Sequence, residues 1–258
     1  MIRFLRSVGG IVKFSLILLY GTLELILKRP ATYEHRAEWL HQFCGKIIRA
    51  MGIATRVEGS FPERGVVVSN HMGYLDIMAL AAHHRCVFMA AAELGKVPLL
   101  GWMTTMAGTV YVHRGQGGSA ERAQNELQAT ADAGVPIVIF AEGTTSDGNG
   151  VLPFRSGALA QVLEAGQPVT AAFVSYRFTE DNGPDATIET DVAYWGDDVQ
   201  LFPHIFNLVA LRGIEVSFRI AEKPIAFTVG ADQRKQAAME ARAAVMELGG
   251  VRDAVVAS

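Results

Sequence analysis

Cysteine is scarce. Two residues, Cys44 and Cys86, occur in 258, with no Cys-x-x-Cys spacing between them. They read as reduced, buried thiols of a protein that faces the cytosol rather than as a disulfide framework. The apolar N-terminal stretch is followed by no small-residue cleavage site, so a cleaved secretory signal is not expected. No Gly-x-Ser-x-Gly elbow occurs anywhere in the chain, which argues against a serine acyl-enzyme. A long uninterrupted hydrophobic run is missing too. Residues 8–27 are mostly apolar, but Lys13 and Glu24 leave only Phe14 to Leu23 uncharged, whereas a spanning helix needs about 20 apolar residues. Internal repeats and low-complexity segments are absent.

What is present is enough apolar material for one sizeable core. Half of the residues are hydrophobic and the net charge is -3. That small net charge conceals an asymmetry. Residues 1–56 carry nine Lys and Arg against three Glu, while the acidic stretch from Glu180 to Asp198 holds seven acids and no Lys or Arg. A basic, apolar N-terminus suits an anionic lipid surface, and the acidic stretch should face away from lipid. We therefore expect two N-terminal membrane-associated helices over residues 1–52. The second begins after Pro30, with Trp39, Leu40, Phe43, Ile47 and Ile48 on one side. Insertion into one leaflet is the expected mode, with a single spanning anchor as the alternative.

From residue 53 to 258 strand-like and helix-like segments alternate. Strands are expected at 54–58, 66–69, 87–90, 110–112, 137–141, 169–178 and 214–220. Helices are expected at 75–82, 99–106, 120–133 (with Ser119 as N-cap), 158–165 and 232–248. Alternation of this kind predicts an α/β domain with a mainly parallel sheet flanked by helices on both faces. Sites in such sheets lie at the carboxyl ends of strands, where His71, Arg114 and Glu142 all fall.

The sharpest motif is Asn70-His71-Met72-Gly73-Tyr74-Leu75-Asp76. It follows the apolar run Val66-Val67-Val68 and leads into a helix, so Asp76 should face back toward His71 from the first helical turn. A carboxylate that takes the Nδ1 proton of an imidazole fixes the tautomer and leaves Nε2 as a base. Such a pair can take a proton from an alcohol. Downstream come Gly108-Thr109-Val110-Tyr111-Val112-His113-Arg114, then Phe140-Ala141-Glu142-Gly143-Thr144-Thr145-Ser146. Pro153-Phe154-Arg155-Ser156-Gly157-Ala158 follows, and last Gln167-Pro168-Val169-Thr170-Ala171-Ala172-Phe173-Val174.

In their order and spacing these blocks resemble the glycerolipid acyltransferases, the family of 1-acylglycerol-3-phosphate acyltransferase, over roughly residues 55 to 225. The resemblance implies a glycerol-3-phosphate acyltransferase-like fold. It also implies an acyltransferase that moves a fatty acyl group from acyl-CoA or acyl carrier protein to the free hydroxyl of a lysolipid. His71 would be the general base and Asp76 its orienting partner. Arg114, with its planar and permanently charged guanidinium, should bind a phosphate. Glu142, Gly143 and Thr144 would flank the acceptor head group, and Arg155 would add a further phosphate or donor contact. Many members that act on lysophosphatidic acid carry an arginine where this chain has Thr145, and this version looks like relatives that acylate other lysolipids, including lyso-ornithine lipid. The last block also has Ala171 in place of its usual second proline.

The expected acceptor is 1-acyl-sn-glycerol-3-phosphate, giving phosphatidic acid, with lyso-ornithine lipid or another lysophospholipid as the alternative. A non-catalytic lipid-binding scaffold is the reading from a different class. Neither cofactor nor metal is expected beyond the thioester co-substrate, and no nucleic-acid partner. Gly115-Gln116-Gly117-Gly118-Ser119-Ala120 mimics a dinucleotide fingerprint without the acidic residue that should follow it. His83-His84-Arg85-Cys86 mimics a metal cluster, but neighbours on a helix end point apart. The expected location is the cytoplasmic face of the inner membrane. Oligomeric state is left open.

Overall fold

The computed structural model describes residues 2–112, 119–196 and 199–251. Two helices open the chain, α1 (Ile2–Lys28) and α2 (Tyr33–Met51). The α2 helix starts where the Thr32 side chain accepts from the His35 amide at 3.4 Å, and stops at Gly52 in the left-handed conformation. Then follow β1 (Ala54–Glu58), β2 (Val66–Ser69), α3 (Tyr74–His83), β3 (Val87–Ala91), α4 (Leu100–Met106) and β4 (Val110–Val112). The order continues with α5 (Ser119–Asp132), β5 (Ile137–Phe140), α6 (Ser156–Glu164) and β6 (Val169–Phe178). It closes with α7 (Ile188–Asp191), α8 (Leu201–Leu208), β7 (Ile214–Ile220) and α9 (Arg234–Gly249). All seven expected strands are present to within a residue. Ser119 is the first residue of α5 rather than its cap.

One seven-stranded sheet runs in the order β1–β7–β6–β2–β5–β3–β4. The block β6–β2–β5–β3–β4 is parallel throughout, while β7 is antiparallel to β6 and β1 is parallel to β7. The parallel expectation therefore holds for five strands, and the other two run the opposite way at one edge. Because successive strand residues point to opposite faces, Val66 and Val68 enter one core and Val67 the other. The β5 residues divide likewise, Ile137 and Ile139 against Val138. Helices α5, α6 and α9 cover one face. Helix α3, most of α2 and the protein-facing side of α1 cover the other. Cys44 and Cys86 are free and buried, and burial pushes the Cys44 thiol up to about 12 and the Cys86 thiol up as well.

Candidate active site

The site grows from the end of β2. Ser69 is the last paired residue, and the chain then leaves the sheet, but the Asn70 side chain continues the ladder. Its Oδ1 accepts from the Val174 amide at 2.8 Å and its Nδ2 donates to the Val174 carbonyl at 3.0 Å. With the neighbouring strand satisfied in this way, the backbone is free to turn at His71 and start α3 three residues later.

His71 and Asp76 meet as expected. Nδ1 lies 2.8 Å from Asp76 Oδ2, so the ring proton sits on Nδ1 and Nε2 keeps its lone pair. The same oxygen accepts the amides of Met72 at 2.7 Å and Gly73 at 3.1 Å. Asp76 is 0% exposed and the His71 side chain 15%. A buried carboxylate needs a full complement of donors, and Oδ1 receives its donor from the Tyr176 hydroxyl on β6.

Neighbouring segments hold the motif down. The His71 carbonyl accepts the Ser146 amide at 2.8 Å and the Ser146 hydroxyl at 3.2 Å, which ties the loop after β5 to the loop after β2. The Met72 carbonyl accepts the Tyr194 amide at 2.8 Å. Beyond it the Tyr74 hydroxyl meets His204 Nδ1 at 2.9 Å, while His204 Nε2 meets the Ala193 carbonyl at 3.1 Å. A carbonyl can only accept, so His204 carries its proton on Nε2 and accepts a hydrogen bond from the Tyr74 hydroxyl at Nδ1. His204 is thus a buried structural histidine.

Glu142 turns its carboxyl into the protein. It is 2% exposed, Oε1 accepts the Leu152 amide at 3.2 Å, and Oε2 has no hydrogen-bond partner. Burial pushes its carboxyl up to about 8, and the Asp76 charge adds to this. The Leu152 amide, the nearby His71 amide and Arg242 pull the other way, the His71 amide without reaching hydrogen-bond geometry. Its visible role is to hold residues 142–152 together, and Gly143 and Thr144 beside it are exposed. Gly143 has φ 69° and needs the freedom of glycine there. The place a Cβ would occupy is already filled by Arg155, whose Cδ and Nε lie 2.6 and 2.7 Å from it. The structure thus brings exposed Arg155 onto the Glu142–Thr145 turn. Arg114 and the glycine-rich segment after it lie outside the described residues. Among the described residues no three His, Cys, Asp or Glu side chains gather as a metal site.

Sequence reasoning passed over Asn70, Ser146 and Tyr176. Only Asn70 carried a signal, as the polar residue that ends an otherwise apolar strand.

The acyltransferase family model matches residues 43–175, the span that carries α3, the His71–Asp76 pair and the Glu142 turn. The chain belongs to the acyltransferase family. It is an acyltransferase by that membership, and its relatives fall on lysolipid enzymes. A lyso-ornithine lipid O-acyltransferase from Brucella abortus is 32% identical over 242 residues, covering 90% of this chain and 89% of the relative. A 1-acyl-sn-glycerol-3-phosphate acyltransferase from Neisseria meningitidis is 33% identical over 140 residues, or 53% of this chain and 54% of the relative. The crystal structure of the 1-acyl-sn-glycerophosphate acyltransferase PlsC from Thermotoga maritima superposes with a TM-score of 0.64 at 19% identity, covering 97% of both chains. That likeness establishes the fold, from the N-terminal helices to the last one.

Proposed function

We propose that this acyltransferase is a membrane-bound lysolipid O-acyltransferase that transfers its acyl group directly, without an acyl-enzyme. The observation that carries the reading is the imidazole of His71, held through Nδ1 by a fully buried carboxylate. In the proposed reaction Nε2 takes the proton of the acceptor hydroxyl. The acceptor oxygen then bonds to the thioester carbonyl of acyl-CoA or acyl carrier protein. Collapse of the tetrahedral adduct breaks the carbon–sulfur bond, and the imidazolium returns its proton to the leaving thiolate. Asp76 stabilises that imidazolium without becoming protonated. Arg155 and, from the sequence, Arg114 supply cations for the phosphates of donor or acceptor.

Two observations favour a lyso-ornithine acceptor over lysophosphatidic acid. Position 145 is threonine, and the likeness to a lyso-ornithine lipid enzyme runs over nine-tenths of the chain rather than half of it. Losing one charge-assisted contact would weaken phosphomonoester binding by about 1.5–3 kcal/mol.

In this reading the N-terminus docks on one leaflet, from the cytosolic side. Helix α1 is long and apolar enough to cross a membrane, yet one of its faces is committed to the domain. Leu25 is buried, Phe43 of α2 stands over Gly21, and Phe4 packs on Phe206 of α8 at 6.0 Å. The opposite face exposes Leu5, Val8, Val12, Leu16, Leu19, Leu23 and Ile26, a stripe at helical spacing. Glu24, which interrupts the apolar run in the sequence, points inward to Lys28 and Lys46 at 2.6 and 3.6 Å. A crossing helix would have to give up the packed face.

The deciding assay presents lysophosphatidic acid and lyso-ornithine lipid side by side in detergent, with labelled oleoyl-CoA or oleoyl-acyl carrier protein. His71→Ala is the blank. Transfer to lyso-ornithine lipid is the expected result. Transfer to lysophosphatidic acid alone would return the acceptor to phosphatidic acid synthesis. Equality with the blank for every acceptor and donor would remove the catalytic reading.

A further inference from the structure

We infer that Tyr176 is the third member of the catalytic constellation, a positioning residue that sets the orientation and charge of Asp76 and through it the basicity of His71. The inference rests on the reading of His71 as general base. It follows from where β6 goes. Strand β6 is ten residues long, whereas β2 beside it is four, and the two stay in register only to Ser69 against Ala172. Past that point β6 outruns β2 and, paired only with β7, continues beneath the start of α3. Pleat alternation sends Ala172, Val174 and Tyr176 to the α3 face and Ala171 and Phe173 to the other. Tyr176 arrives there under the Asp76 carboxyl, one hundred residues away in sequence.

The division of labour on that carboxyl is unequal. Oδ2 takes three donors, from His71, Met72 and Gly73, and Oδ1 takes the Tyr176 hydroxyl. Asp76 is fully buried, so no bulk water stands ready to replace that donor. Rotation of the carboxyl about its own axis is therefore fixed from both ends. The phenol stays protonated and donating, because burial and the adjacent Asp76 charge both raise it well above its ordinary value. Other titratable or charged groups bearing on the pair are Tyr74 on α3, Glu142 on the loop after β5 and Arg242 on α9 behind Glu142. Among the described residues only Tyr176 bonds to Oδ1.

Withdrawing the hydroxyl concentrates negative charge on the carboxylate and strengthens its hold on an imidazolium. The test is the titration of His71 in Tyr176→Phe, followed by NMR of 13Cε1-labelled histidine in detergent micelles, with His71→Gln identifying the signal. It needs no substrate, so it stands whether or not the acceptor has been identified. The expected result is a midpoint shifted upward by about 0.5–1 unit relative to wild type. On whichever acceptor wild type uses, kcat falls about tenfold with KM for both substrates within twofold. Site-specific 3-fluorotyrosine at 176 is a stronger donor of the same shape, and it shifts the midpoint downward. It also serves if the Phe variant does not fold. An unchanged His71 midpoint together with a kcat that follows only the amount of folded protein in both variants would reduce Tyr176 to packing and overturn the inference. Wild-type inactivity on every acceptor with the titration shift intact would instead sink the acyltransfer reading and leave the Tyr176–Asp76–His71 coupling standing.

Discussion

Phe140 lies flat against the imidazole of His71, with ring centroids 3.9 Å apart and planes 11° from parallel, and Phe88 stacks behind it at 6.0 Å. Asp76 fixes the His71 ring by its edge and Phe140 fixes it by its face, so the base is held in two directions, by the first turn of α3 and by the end of β5. The aromatic face also attracts the imidazolium that proton transfer creates.

Replacing Phe140 by leucine keeps apolar volume but removes the flat support. We expect kcat to fall about tenfold while the cost in stability stays below about 2 kcal/mol. Turnover at saturating substrate, read beside a thermal melt, separates the two. A kcat that moved only in proportion to folded protein would make the stack incidental.

Glu142 gives the fold a pH signature. Its carboxyl titrates near 8 when folded and near 4.3 when the chain is unfolded. Between those values the native state holds a proton that the unfolded state has lost, so stability declines as pH rises. The stabilisation is fully present below about pH 4.3 and gone above about pH 8. Glu142→Gln has no proton to lose and can still accept from Leu152. Melting temperatures from pH 5 to 9 should show wild type falling relative to the variant across that window. A difference that is constant with pH would mean that the carboxyl is already ionised in the fold.

The His71–Asp76 pair was legible because strand, turn and helix follow one another within a dozen residues, and local geometry alone brings the partners together. The apolar side of α2 was legible for the same reason, since its spacing is a property of one helix, and Trp39, Phe43, Ile47 and Ile48 turn it into the core. The links of Tyr176 to Asp76 and of His204 to Tyr74 were not, because these partners lie 100 and 130 residues apart and only the completed sheet brings them close. The reversed direction of β7 was hidden too, since an antiparallel strand carries no local mark that a parallel one lacks. The burial of Glu142 was hidden as well. An acid in Phe-Ala-Glu-Gly-Thr looks like an exposed turn residue, and only the packing of residues 142–152 turns its carboxyl inward.

His204 locks the segment after β6 onto the start of α3. In His204→Ala, the Tyr74 hydroxyl and the Ala193 carbonyl both lose their partner, which should cost about 2–4 kcal/mol. Tyr74→Phe removes one bond and should cost about 1 kcal/mol. Burial holds the imidazole below its ordinary range, so the unfolded chain takes up a proton first and the contribution of His204 is lost as pH falls below about 6.5. Denaturant titrations of both variants at pH 7.5 and pH 5.5 check this. The His204 effect should shrink at the lower pH and the Tyr74 effect should not, and equal behaviour of the two would break the assignment.

The outward face of α1 can be tested without touching its inward one. Leu16 and Leu23 are half exposed or more and contribute nothing to the buried core, whereas Leu25, Ser7 and Glu24 face the protein. If the stripe lies in the acyl region of one leaflet, each leucine contributes about 1.5–3 kcal/mol of transfer energy, and a charge in its place opposes insertion further. The double variant Leu16→Glu with Leu23→Glu should then bind vesicles of phosphatidylcholine and phosphatidylglycerol at least about a hundredfold more weakly. Its thermal melt should match wild type, because the face that packs on Phe43 and Phe206 is intact. Raising ionic strength should release the variant further, since what remains is the attraction of Arg3, Arg6 and Lys13 for anionic lipid, which salt screens. Cosedimentation that is unchanged by the two substitutions would assign the stripe to a protein neighbour, and a lowered melting temperature would mean that α1 turns its other side to the lipid.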